Sequence, residues 1–131
     1  MRLSAVISVY NEERQLADCL ATLYFADEIV VLLDKCTDGS EDIARETTDR
    51  IVPGNWPTEG QRRNAGIEAC SGDWIFEIDA DERVPAKLAE EIRRTIETTS
   101  DDWHEILVDN YIGEKLVRWG WGASFGKAAY P

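Results

Sequence analysis

The sequence predicts an α/β fold in which helices cover both faces of a mostly parallel sheet, and three observations lead to that prediction. Strand-like and helix-like segments alternate along the chain. The strand-like segments are continuous apolar runs rather than alternating ones, which is typical of strands buried on both faces. The 131 residues, 44% of them hydrophobic, are enough for one domain with its own core.

Each element has its own local signal. Strands are predicted from β-branched and apolar runs over 3–10, 28–33, 50–52, 74–78 and 104–109. Helices are predicted from apolar residues at helical spacing or from capping residues over 12–24, 41–47, 61–70 and 86–97. Pro85 is suited to open the last of these helices. The segment 111–131 has glycines and aromatic residues without periodicity, so it is predicted to be irregular.

Composition excludes several classes of protein. A formal net charge of −12 makes nucleic acid an unsuitable partner, because phosphate binding needs a basic surface. The longest aliphatic run, IVVLL, is far shorter than the roughly 20 residues of a membrane span. Three widely spaced cysteines without a CxxC pair indicate neither disulfides nor a zinc site. We therefore expect a cytoplasmic protein.

Acidic residues follow three of the predicted strands, in the segments NEE, DKCTD and DADE. Carboxyl ends of parallel strands meet at one edge of a sheet, where ligands of such folds bind. Asp79 and Asp81 in the D-x-D segment would lie about 7 Å apart on one side of an extended chain. Mg²⁺ or Mn²⁺ would relieve their repulsion. Alternatively, Asp81 caps the helix near Pro85 and Asp79 is a solvated strand end.

Three further residues complete the candidate site. Asp34 ends a buried strand without an evident capping role, and its carboxylate can accept hydrogen bonds from a base or a ribose. Arg63, next to Arg62 near a helix start, is suited to a diphosphate, or else to pairing with neighbouring glutamates. Glu12 lies near the start of a predicted helix, where negative charge is favoured by the dipole.

Four segments, SVYNEERQLADCL, DKCTDGS, GQRRNAG and GDWIFEIDADERV, resemble in order and spacing the family 2 glycosyltransferases of the GT-A (Rossmann-like) fold. Within that family the chain is most similar to bacterial lipopolysaccharide core glucosyltransferases. The resemblance implies a nucleotide diphosphate sugar donor, most often a UDP sugar, and a divalent metal. It assigns Glu12, Asp34, Arg63 and Asp79 to the nucleotide, and Asp81 with Asp79 to the metal. Leu33 stands where many members have another aspartate, which loosens the assignment of the base.

The resemblance also implies the reaction and its setting. The sugar would pass, with inversion, to a cell-envelope glycan or lipid-linked lipopolysaccharide core acceptor. The catalytic base is expected downstream of Pro131, so 1–131 is interpreted as an incomplete nucleotide-sugar-binding domain, truncated after the D-x-D region, with 111–131 on the acceptor side. We expect this chain to bind donor better than it transfers sugar.

Other readings remain open from the sequence. A receiver-like signalling domain shares the acidic strand ends, but the expected aspartate and lysine are not convincing near Val52 and Asn110. A sugar nucleotidylyltransferase would have a glycine- and arginine-rich first loop, whereas this chain has YNEER. A non-catalytic nucleotide-binding module is the third alternative.

Two kinds of surface contact are also expected. Trp119, Trp121, Phe125 and Tyr130 could pack over the sheet edge, stack on an acceptor sugar or touch the inner face of the membrane, and packing is favoured. Uncovered sheet edges predict self-association.

Overall fold

A computed structural model of the chain describes residues 1–117 and 125–129, which divide into two units, Met1–Thr99 and Ser100–Pro131. Each unit is considered by itself, and the sequence-based interpretation of 1–131 as one domain remains a prediction. No helix within the described residues is long and apolar enough to cross a bilayer.

The first unit is built on a four-stranded sheet. Its strands are β1 (Leu3–Val9), β2 (Glu28–Asp34), β3 (Ile51–Gly54) and β4 (Trp74–Asp79). The strands are all parallel and lie in the order β3-β2-β1-β4. The chain therefore adds β2 and β3 on one side of β1 and then crosses to place β4 on the other side. This reversal next to β1 is the switch point at which such folds bind ligands.

Four helices connect or follow these strands. They are α1 (Leu16–Ala21), α2 (Ser40–Arg45), α3 (Glu59–Ala69) and α4 (Ala86–Thr98). The Thr58 hydroxyl caps α3 by accepting the Gln61 N–H at 3.3 Å. In α4, Ala89, Ile92 and Ile96 recur at helical spacing and are buried. The sequence predicts Leu88, Ile92 and Ile96 on one face of this helix, and in the structure Ile92 and Ile96 are buried whereas Leu88 is half-buried.

The first helix is shorter than the predicted span of 12–24. At its start, the Glu12 carbonyl accepts N–H groups from both Gln15 and Leu16, at 3.0 and 2.9 Å, and closes an isolated turn that precedes the helix. At its end, the Thr22 hydroxyl donates to the Cys19 carbonyl at 2.7 Å. Local hydrogen bonds of this kind compete with helix continuation. The prediction rested on the helical spacing of four apolar residues, and all four are buried: Leu16, Cys19, Leu20 and Leu23. The predicted length of the helix was wrong.

Both faces of the sheet are covered. On one face, α3 brings Gly66 against Val6 and Leu32, which are buried. On the other face of β1, the alternate residues Ala5, Ile7 and Val9 have no exposed surface. The predicted fold class, a mostly parallel sheet covered by helices, is confirmed.

The second unit contains short antiparallel strands. β5 (His104–Val108) pairs with β8 (Phe125–Ala129), and β6 (Tyr111–Ile112) pairs with β7 (Lys115–Leu116). The prediction of an irregular segment over 111–131 is therefore wrong for its described part, because three strands lie within it. Gly113, with φ of +59°, begins the two-residue connection between β6 and β7, a position that favours glycine. The predicted aromatic cluster falls largely on Trp119, Trp121 and Tyr130, which lie outside the described residues.

Candidate functional site

The carboxyl ends of the parallel strands bring several of the predicted residues to one edge of the sheet. Asp34 is the last residue of β2, and Asp79 is the last residue of β4. In the strand register, Val9 is level with Leu33, and Ser8 is level with Asp79. Asp34 and Asp79 therefore lie at the same edge, on opposite sides of β1. We refer to this as the carboxyl edge.

Asp34 is held from two directions. Only 7% of the residue is exposed. Its Oδ2 accepts a hydrogen bond from Arg62 Nη1 at 3.3 Å, and its Oδ1 accepts one from the Trp56 N–H at 3.4 Å. Arg62 also has a buried Nε without a hydrogen-bond partner among the described residues. The pair therefore places the Asp34 carboxylate, an acceptor, beside the Arg62 guanidinium, a donor whose Nε has no partner among the described residues, at the carboxyl edge.

Trp56 is a component of the edge that sequence reasoning missed. A Cβ on Gly54 would fall 2.4 Å from its ring, so the indole lies directly over the end of β3. Lys35 reinforces this arrangement by donating its backbone N–H to the Gly54 carbonyl at 3.0 Å and its Nζ to the Trp56 carbonyl at 3.4 Å. The signal in the sequence was the single tryptophan of the segment PGNWPTEG. The turn-forming and polar residues around it led us to interpret the segment as a loop without a functional side chain.

Arg63 points to a different set of partners from its neighbour Arg62. Its guanidinium donates to Glu59 at 2.9 Å and to Glu77 of β4 at 3.1 Å. Burial is the largest influence on its pKa and lowers it, but the charges of Glu77, Glu59 and Asp79 outweigh burial and raise the pKa above its ordinary value. The structure thus brings Arg63 to β4, where the charge of Asp79 influences it. Arg63 is paired with glutamates, which is the arrangement that the sequence analysis gave as the alternative to a diphosphate contact.

The D-x-D segment is a turn that follows β4. The Asp79 N–H donates to Glu82 Oε2 at 3.0 Å, and the Glu82 N–H donates to the Asp79 carbonyl at 3.0 Å. Asp81 is exposed, and its carboxylate makes no hydrogen bond or ion pair with any described residue. It does not cap the following helix, because α4 begins after Pro85 without a side-chain cap. The capping alternative for Asp81 is therefore wrong.

Within the part of the chain that the structure describes, no three Asp, Glu, His or Cys side chains lie close enough to hold a metal ion by themselves. Asp81 nevertheless has the properties of a ligand for a hard cation, namely a carboxylate that is exposed and has no hydrogen-bond or ion-pair partner among the described residues. Mg²⁺ commonly takes one or two carboxylates and completes its shell with phosphates and water. The residues present fit that mode of binding, in which the substrate supplies ligands.

Glu12 lies in the connection after β1 and is half-buried. Its N–H donates to Ser40 Oγ at 3.0 Å. Since α1 begins only at Leu16, Glu12 is not part of a helical first turn, and the helix-dipole alternative does not apply to it. Its backbone is fixed at the carboxyl edge, next to the switch point.

These observations define an α/β unit in which acidic and basic side chains meet at the carboxyl edge, next to the switch point of a parallel sheet. The profile of the family described as Glycosyl transferase family 2 matches residues 4–122. The chain belongs to this family, and the resemblance stated from the sequence is confirmed. Membership also removes the receiver-like and nucleotidylyltransferase alternatives.

Two curated relatives are informative. The lipopolysaccharide core biosynthesis glycosyltransferase LpsC of Rhizobium meliloti is 38% identical over 93 residues, which are 67% of this chain and 34% of the relative. The putative glycosyltransferase EpsH of Bacillus subtilis is 30% identical over 121 residues, 86% of this chain and 34% of the relative. The chain thus spans about a third of the length of these relatives.

Solved structures support the same fold. S. aureus TarS 1-349 in complex with UDP has a TM-score of 0.61 at 20% identity, covering 74% of this chain and 32% of that one. Glucosyl-3-phosphoglycerate synthase of M. tuberculosis has a TM-score of 0.55 at 27% identity, covering 64% of this chain and 35% of that one. The GT-A-like fold of the first unit is therefore confirmed.

Proposed function

We propose that this chain binds a nucleotide diphosphate sugar, most simply a UDP sugar, at the carboxyl edge of the first unit. The protein to which it belongs would transfer the sugar, with inversion, to a cell-envelope glycan or a lipopolysaccharide core. The single observation that carries the proposal is the meeting of Asp34, Arg63 and the D-x-D turn at one edge of the sheet. Family membership supports the reaction class, and the name of LpsC supports the acceptor class.

The nucleoside half of the donor is assigned to the β2 side of the edge. Asp34 offers carboxylate oxygens that can accept hydrogen bonds from a base N–H or a ribose hydroxyl. Its position is fixed by Arg62 and the Trp56 N–H, so little ordering is needed when a ligand arrives. M. tuberculosis glucosyl-3-phosphoglycerate synthase, 26% identical to this chain, has been crystallised with UDP, which favours uridine.

The diphosphate half is assigned to the side of β4. Breaking the bond between the anomeric carbon and the phosphate oxygen leaves negative charge on that oxygen, and a guanidinium nearby stabilises it. Arg63 can supply this charge by exchanging one carboxylate partner for phosphate, since Glu59, on the adjacent turn of α3, is an exposed partner. Glu77 would remain to orient the guanidinium.

A divalent cation fits beside the diphosphate. Asp81 would be its direct protein ligand, with Asp79 turned toward the metal or the ribose. Bound there, Mg²⁺ or Mn²⁺ would act as a Lewis acid on the phosphate oxygens. The same glucosyl-3-phosphoglycerate synthase of M. tuberculosis has been crystallised with Mg²⁺ and UDP, and with Mn²⁺, UDP and glucosyl-3-phosphoglycerate. Inversion also needs a base for the acceptor hydroxyl, and we assign that role to none of residues 1–117.

Calorimetric titration of the 131-residue protein with UDP and GDP, with and without Mn²⁺, tests the proposal. We expect saturable UDP binding that Mn²⁺ strengthens at least about tenfold. Asp81→Asn should remove the effect of Mn²⁺, whereas Asp49→Asn, an exposed aspartate just before β3 and therefore at the opposite edge, should leave it intact. Failure of the wild-type protein to bind UDP in the presence of Mn²⁺ would refute the proposed function.

Cytoplasmic location, contact with the inner face of the membrane and self-association remain predictions from the sequence. We propose that the donor is met in the cytoplasm, where its acceptor would be presented at the membrane surface. Fractionation of the producing cells would test the location and the membrane contact, and sedimentation of the purified protein would test self-association.

A further inference from the structure

Two loops at the carboxyl edge are hydrogen-bonded to each other although they are far apart in sequence. The first loop, residues 10–15, follows β1, and the second loop, residues 35–39, follows β2. Glu12 lies within the first loop, and Asp34 immediately precedes the second. Any contact that fixes these loops relative to each other therefore also fixes the two residues assigned to the nucleotide.

Carboxylates connect the loops in both directions. Glu13 Oε2 of the first loop accepts the Gly39 N–H of the second at 2.8 Å. Asp38 Oδ2 of the second loop accepts the Glu13 N–H of the first at 3.1 Å. The other oxygen of Asp38 accepts the N–H of Ser40 at 3.0 Å, at the start of α2. Each carboxylate thus satisfies a backbone donor of the opposite loop, so neither loop can move away without leaving donors unpaired.

Asn11 adds a third connection. Its backbone is left-handed, with φ of 51°, a conformation that asparagine tolerates better than most residues. In this position its Oδ1 accepts the Thr37 N–H at 2.7 Å and the Asp38 N–H at 3.3 Å. Three side chains, Asn11, Glu13 and Asp38, therefore accept hydrogen bonds from the backbone N–H groups of five residues, and four of these residues lie in the loop opposite the accepting side chain.

We infer that Asn11, Glu13 and Asp38 form a loop clasp whose role is to hold the two loops in one arrangement, so that Glu12 and Asp34 stand ready for the donor. This inference rests on the proposed function, because it takes Glu12 and Asp34 as nucleotide contacts. The three residues are positioning residues and do not themselves touch the donor. Loops ordered in the free protein need not be ordered on binding, which strengthens binding without adding a contact.

The chemistry of the clasp allows a conservative rescue. Glu13→Ala removes the acceptor for the Gly39 N–H, whereas Glu13→Gln keeps an amide oxygen in the same place. We expect Glu13→Ala to weaken UDP binding about tenfold, because a charged hydrogen bond and the loop order that it provides are lost. Glu13→Gln should bind UDP within about twofold of wild type. Asp38→Ala and Asp38→Asn should behave in the same way.

A control separates positioning from general loss of stability. The Thr48 hydroxyl donates to the Ile29 carbonyl at 2.8 Å and accepts the Arg50 N–H at 3.0 Å, before β3 and away from the carboxyl edge. Thr48→Val should lower the melting temperature at least as much as Glu13→Ala while leaving UDP affinity unchanged. Equal weakening of UDP binding by Thr48→Val and Glu13→Ala would overturn the inference, because the effect would then be one of stability.

Amide hydrogen exchange tests the clasp without any ligand. We expect Glu13→Ala to speed exchange at Gly39 and Thr37 in the second loop, and Asp38→Ala to speed exchange at Glu13 in the first. Faster exchange confined to the loop that carries the substitution would overturn the inference even if UDP binds. Absence of UDP binding to the wild-type protein would instead remove the proposed function, and the inference with it, whatever the exchange data show.

Discussion

Arg62 Nη1 lies 3.3 Å from Asp34 Oδ2, so the third helix holds the carboxylate that ends the second strand. The side chain of Asp34 is 10% exposed and that of Arg62 is 25% exposed, which makes this a largely buried ion pair. Such pairs contribute little net stability as a whole, yet losing one partner is costly because the other charge stays buried. This ion pair thus links the carboxyl end of β2 to α3.

Removing Arg62 should therefore destabilise the protein. We expect Arg62→Ala to lower the free energy of unfolding by about 1–3 kcal/mol at neutral pH, because the buried Asp34 carboxylate loses its charged donor. The Arg62→Ala, Asp34→Asn double variant should be less destabilised than the sum of the single variants. Urea denaturation of the four proteins measures the coupling, and strictly additive losses would contradict the pair.

Arg63 should discriminate between nucleotides by their phosphates. Arg63→Ala should weaken UDP binding about tenfold while changing uridine binding little, because its assigned contact is the diphosphate. Arg45→Ala offers a matched control, since Arg45 also forms an ion pair with a glutamate one helical turn away, on α2. Calorimetry with UDP and uridine gives the comparison, and equal losses for both ligands would place Arg63 outside the diphosphate site.

Two glycines in α3 should respond to alanine in opposite ways. A Cβ on Gly66 would lie 2.8 Å from Leu32 Cδ1 and 2.9 Å from Val6 Cγ2, both in the core, whereas a Cβ on Gly60 would meet nothing within 4 Å. Alanine favours a helix over glycine by about 1 kcal/mol, but overpacking a core costs about 1–3 kcal/mol. We expect Gly60→Ala to raise the melting temperature and Gly66→Ala to lower it. A gain in both would mean that α3 can lift from the sheet without cost.

The sheet could be predicted because its signal is local. Each of β1, β2 and β4 is an apolar run long enough to indicate burial on both faces, and the alternation with helices then implies parallel pairing. The segment after Val108 could not be predicted in the same way. The strands β6 and β7 have two residues each, and the partner of β5 lies beyond an intervening hairpin, so no local periodicity reveals the pairing.

The site could be predicted as a set of residues but not as a set of contacts. Arg62 and Arg63 are adjacent in sequence, yet successive helical residues point about 100° apart. One arginine therefore reaches Asp34 and the other reaches Glu77, and only the packing of α3 on the sheet decides which. The same holds for Trp56, whose place over Gly54 depends on a turn that composition alone describes as loop.

Cysteine reactivity should follow burial. Burial raises the pKa of the Cys19 thiol to about 12 and that of Cys70 to about 11, so almost no thiolate is present at pH 8. Cys19 also has no exposed surface, whereas Cys36 is partly exposed. We expect iodoacetamide at pH 8 to label Cys36 before Cys19 in the folded protein, and all three cysteines rapidly in denaturant. Mass spectrometry of the labelled peptides gives the order, and early labelling of Cys19 would contradict the packing of α1.

At the opposite edge of the sheet, Glu28 is a buried carboxylate that should make stability depend on pH. It accepts hydrogen bonds from the Ser4 hydroxyl and from the Ser71 N–H and hydroxyl, the latter two at 2.8 and 2.9 Å, and lies 3.4 Å from Arg50. Burial is the largest influence on its pKa and raises it, but these hydrogen bonds and the charge of Arg50 together hold the pKa below its ordinary value of 4.5. The folded state therefore favours the ionised form.

The direction of the effect follows from this lowered pKa. A carboxyl group with a lower pKa in the folded state stabilises the protein fully above its unfolded pKa, and this contribution is lost as the pH falls through the folded value. Glu28→Gln should cost about 1–3 kcal/mol at pH 7, and the difference from wild type should stay constant down to about pH 5. Below about pH 4.5 the difference should shrink, because the wild-type carboxyl becomes protonated as well. Urea denaturation of both proteins between pH 7 and pH 3 measures this difference. The contributions of the other carboxylates to the pH dependence are the same in both proteins and therefore cancel. A difference that stays unchanged to pH 3, or that grows as the pH falls, would show that Glu28 acts in the fold by its shape and not by its charge.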